Sequence, residues 1–155
     1  MVTAPNGDLL LAYSGVNMKL LGSLAVVFAV VSVMSAQSGR TVWDEVFTLE
    51  QAKRGAKVYA SQCGHCHGDT GLGGEGPALT GPVFTANWDG VPLNELVERI
   101  RQTMPADNPG NMSREELTDV VAHLLNISKM PAGTTPLPTD AGSLMQIKYF
   151  GSRPQ

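Results

Sequence analysis

The chain has 155 residues, the length of a single domain, and 43% of them are hydrophobic, enough for a core. Only 6% are aromatic, so that core is either small or built around something else. The net charge is −3 and no basic block occurs anywhere, which excludes a nucleic-acid-binding role.

Residues 1–36 read as an export signal. Lys19 precedes an apolar run from Leu20 to Met34, and small residues follow it, so cleavage is expected after Ser35 or Ala36. The run is short for a membrane-spanning helix, which needs about 20 apolar residues. The first 17 residues carry Asp8 and no basic residue, so the expected true start is Met18. Membrane attachment is expected only if this segment stays uncleaved.

Residues 37–47 form an N-terminal extension, irregular or extended. Thr48 then opens a helix as N-cap, with Gln51 placed to complete a capping box. Leu49, Ala52, Ala56, Tyr59 and Ala60 fall on one side of this helix, which runs to about Gln62. From Gly68 to Gly90 the chain is rich in glycine and reads as loop, with Phe84 and Trp88 as its large aromatic anchors. Pro92 starts a second helix with Leu93, Leu96, Val97 and Ile100 at helical spacing, and Pro105 stops it near Met104. Ser113 and Glu116 form a capping box for a third helix, whose apolar face is Leu117, Val120, Val121, Leu124 and Leu125. Residues 134–155 read as an extended tail packed over the domain and frayed at its end. No strand pair or internal repeat is visible. The expectation is an all-α domain over 48–133, with extended segments on either side.

The string that carries chemistry is Cys63-Gly64-His65-Cys66-His67. The spacing Cys-x-x-Cys-His is the haem attachment motif. Two thiols one helical turn apart can each add to a vinyl group of haem, and the histidine after the second cysteine can reach the iron. Both cysteines of the chain lie here. A thiol-redox Cys-x-x-Cys would follow a strand in a βαβ pattern, and none is visible. A structural zinc site would need a second ligand pair, also absent from the sequence. His65 reads as a solvent-facing filler. A sixth iron ligand has four candidates: Met104, Met112, Met130 and His123. A methionine sulfur opposite histidine raises the reduction potential and suits electron transfer. Met104 ends a helix and precedes Pro105, so a fixed loop could hold its sulfur. Met112 and Met130 read as packing residues, and His123 as a surface residue.

Residues 48–133 resemble class I cytochrome c. The resemblance rests on Tyr59-Ala60-Ser61-Gln62-Cys63, the Cys-x-x-Cys-His-Gly string, Gly74-Glu75-Gly76-Pro77-Ala78-Leu79, Thr103-Met104-Pro105 and the helix from Asp119 to Leu125. It implies one covalent haem c, iron ligated by His67 and Met104, and a Pro77 carbonyl that accepts from the proximal imidazole. Trp88 resembles the family tryptophan near the haem edge and propionates. His123 departs from the tyrosine the family often has. With both axial positions filled by protein, the resemblance implies a periplasmic electron carrier and not an enzyme. Its partners would be redox proteins (a dehydrogenase, an oxidase or another cytochrome) docking at the haem edge near Cys63 and Cys66. The segments Thr41–Phe47 and Pro138–Asp140 resemble extensions of cytochrome subunits that accompany quinoprotein dehydrogenases, so an obligate subunit is one alternative. A ligand-binding haem sensor is the other.

Overall fold

The computed structural model describes residues 39–155; the expected export segment and the Met18 start lie outside them. Among the described residues there are six helices and one pair of short strands. The helices are α1 (Leu49–Gln62), α2 (Gly64–His67), α3 (Gly81–Trp88), α4 (Leu93–Thr103), α5 (Arg114–Ile127) and α6 (Ala141–Met145). The strands are β1 (Arg40–Thr41) and β2 (Ile147–Lys148), paired in parallel with Arg40 opposite Ile147 and Thr41 opposite Lys148. None of these helices is long and apolar enough to cross a membrane.

The packing of α1 on α5 is the main helix–helix contact. It is close because Gly55 faces it: a Cβ there would lie 1.7 Å from the Asp119 carbonyl oxygen. Glycine is therefore required by the approach of two backbones. The buried face of α1 is accordingly Gln51, Ala52, Gly55 and Tyr59, while Leu49 and Ala60, expected inward, are exposed. Beside the crossing, Arg54 donates to both carboxylate oxygens of Asp119, each at 2.8 Å, a bidentate pair. The apolar faces expected for α4 and α5 turn inward, buried throughout except for Ile100, which is half-buried.

Helix starts follow side-chain chemistry. Ser113 and Glu116 form the reciprocal capping box at α5. Thr48 caps α1 by accepting from the Gln51 N–H, but the expected box is only half made. The Gln51 side chain is buried and instead clamps the backbone of Leu137, donating to its carbonyl at 3.2 Å and accepting from its N–H at 2.8 Å. An amide can satisfy a strand-like backbone from both sides, and here that outcompetes the cap.

Three sequence-based expectations need correction. The stretch from Gly68 to Gly90 is not all loop: Gly81–Trp88 is helical, with a proline in its first turn, where a missing N–H costs nothing. The tail is not simply extended: Asp140 caps α6 by accepting from Ser143 N–H, and β2 follows. A strand pair does exist. These segments belong to the core, since Val42, Val46, Phe47, Leu137, Leu144, Ile147 and Tyr149 are all buried in it. Full burial of such aliphatic and Phe side chains stabilises by roughly 1.5–3 kcal/mol each. Residues 39–47 and 134–150 are thus integral to the fold. Trp43 ties them together, its indole N–H donating to the Phe150 carbonyl at 2.9 Å.

Candidate haem-attachment site

The attachment string folds as one helical turn. Cys63 closes α1, its N–H donating to the Tyr59 carbonyl at 2.8 Å, and α2 carries Gly64 to His67. Cys63 N–H is thereby satisfied, and Cys66 and His67 N–H groups both donate to the Cys63 carbonyl. This brings Cys63, Cys66 and His67 onto a single turn. Both thiols are free; Cys63 is buried and Cys66 half-buried. Burial pushes the Cys63 thiol up to about 11. A redox-active Cys-x-x-Cys needs a lowered thiol pKa, so this environment opposes the thiol-oxidoreductase alternative. The zinc alternative lacks a ligand set, because among the described residues no three His, Cys, Asp or Glu side chains are grouped to hold a metal ion.

The glycine loop after α2 folds back beneath it. Gly73 N–H donates to the His67 carbonyl at 3.0 Å and Gly76 N–H to the Cys66 carbonyl at 2.8 Å. The Gly71 carbonyl accepts from Leu79 N–H and from both the N–H and the hydroxyl of Thr80. Loop carbonyls and helix-end carbonyls are thus satisfied internally, which a buried backbone requires.

His67 is 6% exposed, and its Nδ1 lies 2.7 Å from the Pro77 carbonyl oxygen. A carbonyl can only accept, so Nδ1 is the donor here and Nε2 is the ring nitrogen that this bond leaves over. Gly76 lies directly behind the ring: a Cβ there would sit 2.9 Å from His67 Cε1 and 3.0 Å from Nδ1. The loop therefore holds the imidazole in one plane and one tautomer. Two free thiols on one turn and a histidine whose Nε2 is left out of that hydrogen bond are the donor set that covalent haem attachment and iron ligation require.

Met104 is the C-cap of α4, half-buried, its N–H donating to Ile100 at 2.8 Å, with buried Pro105 behind it. Met112 and Met130 are packed within the hydrophobic core. Trp88 ends α3 half-buried against Phe84, ring centroids 5.9 Å apart, and Phe84 meets Tyr149 edge-on at 5.5 Å. His65 is exposed, as expected. His123 is not a free surface residue: it is half-buried, its ring centroid 5.1 Å from that of Tyr59. Burial lowers its pKa below the ordinary histidine value. Gly76 and Tyr59 were named from the sequence as parts of matching strings but given no role beside His67; the close spacing of Gly73, Gly74 and Gly76 was the available signal for the first.

The mostly helical fold is that of a c-type cytochrome domain, an electron-transfer class that carries haem c covalently. Residues 50–124 match the family described as cytochrome C oxidase, cbb3-type, subunit III, a stretch running from α1 through most of α5. No curated protein and no solved structure was found to match the chain.

Proposed function

We propose that this protein is a periplasmic one-electron carrier whose single haem is bound through Cys63 and Cys66 and ligated by His67 and Met104. The observation that carries the reading is the Pro77–His67 hydrogen bond, which leaves Nε2 for the iron and makes the imidazole a stronger donor. Haem c supplies a reversible Fe(III)/Fe(II) couple. The chain's own residues bind it, fix its proximal ligand and shield it from water.

The choice of Met104 is supported by where its rivals lie. Met112 and Met130 are held in the core, and the His123 ring packs at a tilt against Tyr59. Met104 stands at a helix end with its side chain only half-buried before haem is counted. A thioether opposite histidine raises the potential and fills the last iron position, so no substrate reaches the metal and no reaction of its own is expected. Trp88, on the fringe of the core, is assigned to the haem edge.

The partner is a redox protein. The matching family's description names an oxidase subunit, which supports the oxidase among the three expected partner classes. The obligate-subunit alternative rests on the resemblance of the two extensions, where apolar surface left exposed would mark a docking face. Val42, Val46, Phe47, Leu137 and Leu144 are instead buried, which favours a free carrier that docks transiently.

Replacing Met104 with alanine in the holoprotein tests the ligand set. The expected result is a lower potential and an iron that binds carbon monoxide when reduced. An unchanged spectrum and potential would show that another residue is the ligand.

A further inference from the structure

Tyr59 grips the attachment turn at both ends. Its backbone carbonyl accepts from Cys63 N–H at 2.8 Å, and its hydroxyl donates to the Gly68 carbonyl at 2.7 Å. Cys63 is the residue before α2 and Gly68 the residue after it. The ring is 2% exposed and walled in: a Cβ at Gly64 would lie 3.8 Å from Tyr59 Cε1, and the His123 ring lies on another side at 5.1 Å. A ring packed this way is confined to one rotamer, so the hydroxyl is presented from a fixed point.

Three successive carbonyls at the exit of α2 have donors. Those of Cys66 and His67 are served by Gly76 and Gly73, and that of Gly68 by Gly71 N–H at 3.1 Å as well as by Tyr59. Gly71, Gly73 and Gly76 all belong to the loop that these same bonds hold in place. Tyr59 alone among these donors comes from α1, which packs closely on α5. Gly68 itself has φ +74°, a conformation with little cost for glycine and little intrinsic stiffness. The exit of the attachment turn is therefore referenced to the helix pair through one hydroxyl.

We infer that Tyr59 is a positioning residue for the proximal ligand: its hydroxyl sets the orientation of the His67 imidazole by anchoring Gly68 to α1. The inference rests on the reading of His67 as an iron ligand. The test is Tyr59→Phe in the haem-loaded protein, which keeps the ring and removes only the donor. Ferric haem-methyl proton resonances and electron-paramagnetic g-values report the imidazole plane. The expected result is a changed spread of both and a shifted midpoint potential, with haem still covalently attached. Unchanged resonances and potential, with only a lower melting temperature, would overturn the inference and leave Tyr59 a packing residue. Should that variant fail to accumulate with haem, 3-fluorotyrosine placed at position 59 keeps the fold and strengthens the donor. Resonances displaced from those of the unmodified protein support the inference, and unchanged ones overturn it. The unmodified holoprotein is measured first: absence of imidazole ligation there would refute the His67 assignment itself and so be distinguishable from failure of the Tyr59 variant.

Discussion

Gly55→Ala is the sharpest perturbation of the scaffold that holds the attachment turn. The added methyl carbon would lie 1.7 Å from the Asp119 carbonyl oxygen, 2.3 Å from its carbon and 2.9 Å from Val120 N. These are backbone atoms of α5 and cannot rotate away. Restoring a normal contact of about 3.5 Å needs the helices to part by roughly 1.8 Å. A gap of about 0.5–1 Å already forfeits a quarter to a half of a dispersion contact, so a larger parting removes most of the packing across this crossing. Overpacking ordinarily costs about 1–3 kcal/mol, and a clash with backbone belongs at or beyond the top of that range. Alanine returns about 1 kcal/mol through helix propensity. The net expectation is a destabilisation of at least about 2 kcal/mol, a fall of roughly 10 °C in melting temperature for a domain of this size. Thermal melts of both holoproteins followed by circular dichroism would measure it. An alanine variant that melts as high as the parent would refute the close crossing at Gly55.

Arg54→Ala is expected to lower the melting temperature more than Lys53→Ala, measured side by side. Arg54 pairs with Asp119, whose side chain is 5% exposed and would be left a buried, unpaired carboxylate, whereas the Lys53–Glu50 pair is exposed on both sides. Stability is expected to fall as pH drops below about 6.5, the ordinary value for histidine. The folded state holds His123 below that value by burial, so the unfolded chain takes up the proton first; the loss runs down to the folded pKa and then levels. His123→Phe should remove this upper step in an acid titration of the melting temperature. It should leave the later acid loss from Glu98 and Glu116. Arg114 and Arg101 hold the first below the carboxylate range, and the Ser113 N–H and hydroxyl hold the second.

The candidate attachment string could be picked out because its residues are contiguous, and the single turn it forms follows from that contiguity. The faces of α4 and α5 were legible because Leu, Val and Ile recur there at helical spacing. What escaped the sequence depends on contacts distant along the chain. Gly55 carries no hydrophobic signal, yet it decides which face of α1 is buried. Gln51 looked like half of a local box, but the Leu137 backbone, far along the chain, claims its amide. The helix Gly81–Trp88 was hidden by the glycines and prolines around it, although a proline near position N1 is itself a helix-start signal. The parallel strands are two residues long, too short for an alternating pattern to register. His123 was read from one helix alone, and only the α1–α5 crossing shows that its ring packs against Tyr59.

The central claim is a haem iron closed on both sides by His67 and Met104. Exposing the reduced, natively purified holoprotein to carbon monoxide while recording its absorption spectrum tests that directly. The spectrum is expected not to change, because no iron position is open. A shift to a carbon monoxide-bound spectrum would contradict the six-coordinate carrier and mark a ligand-binding haem protein.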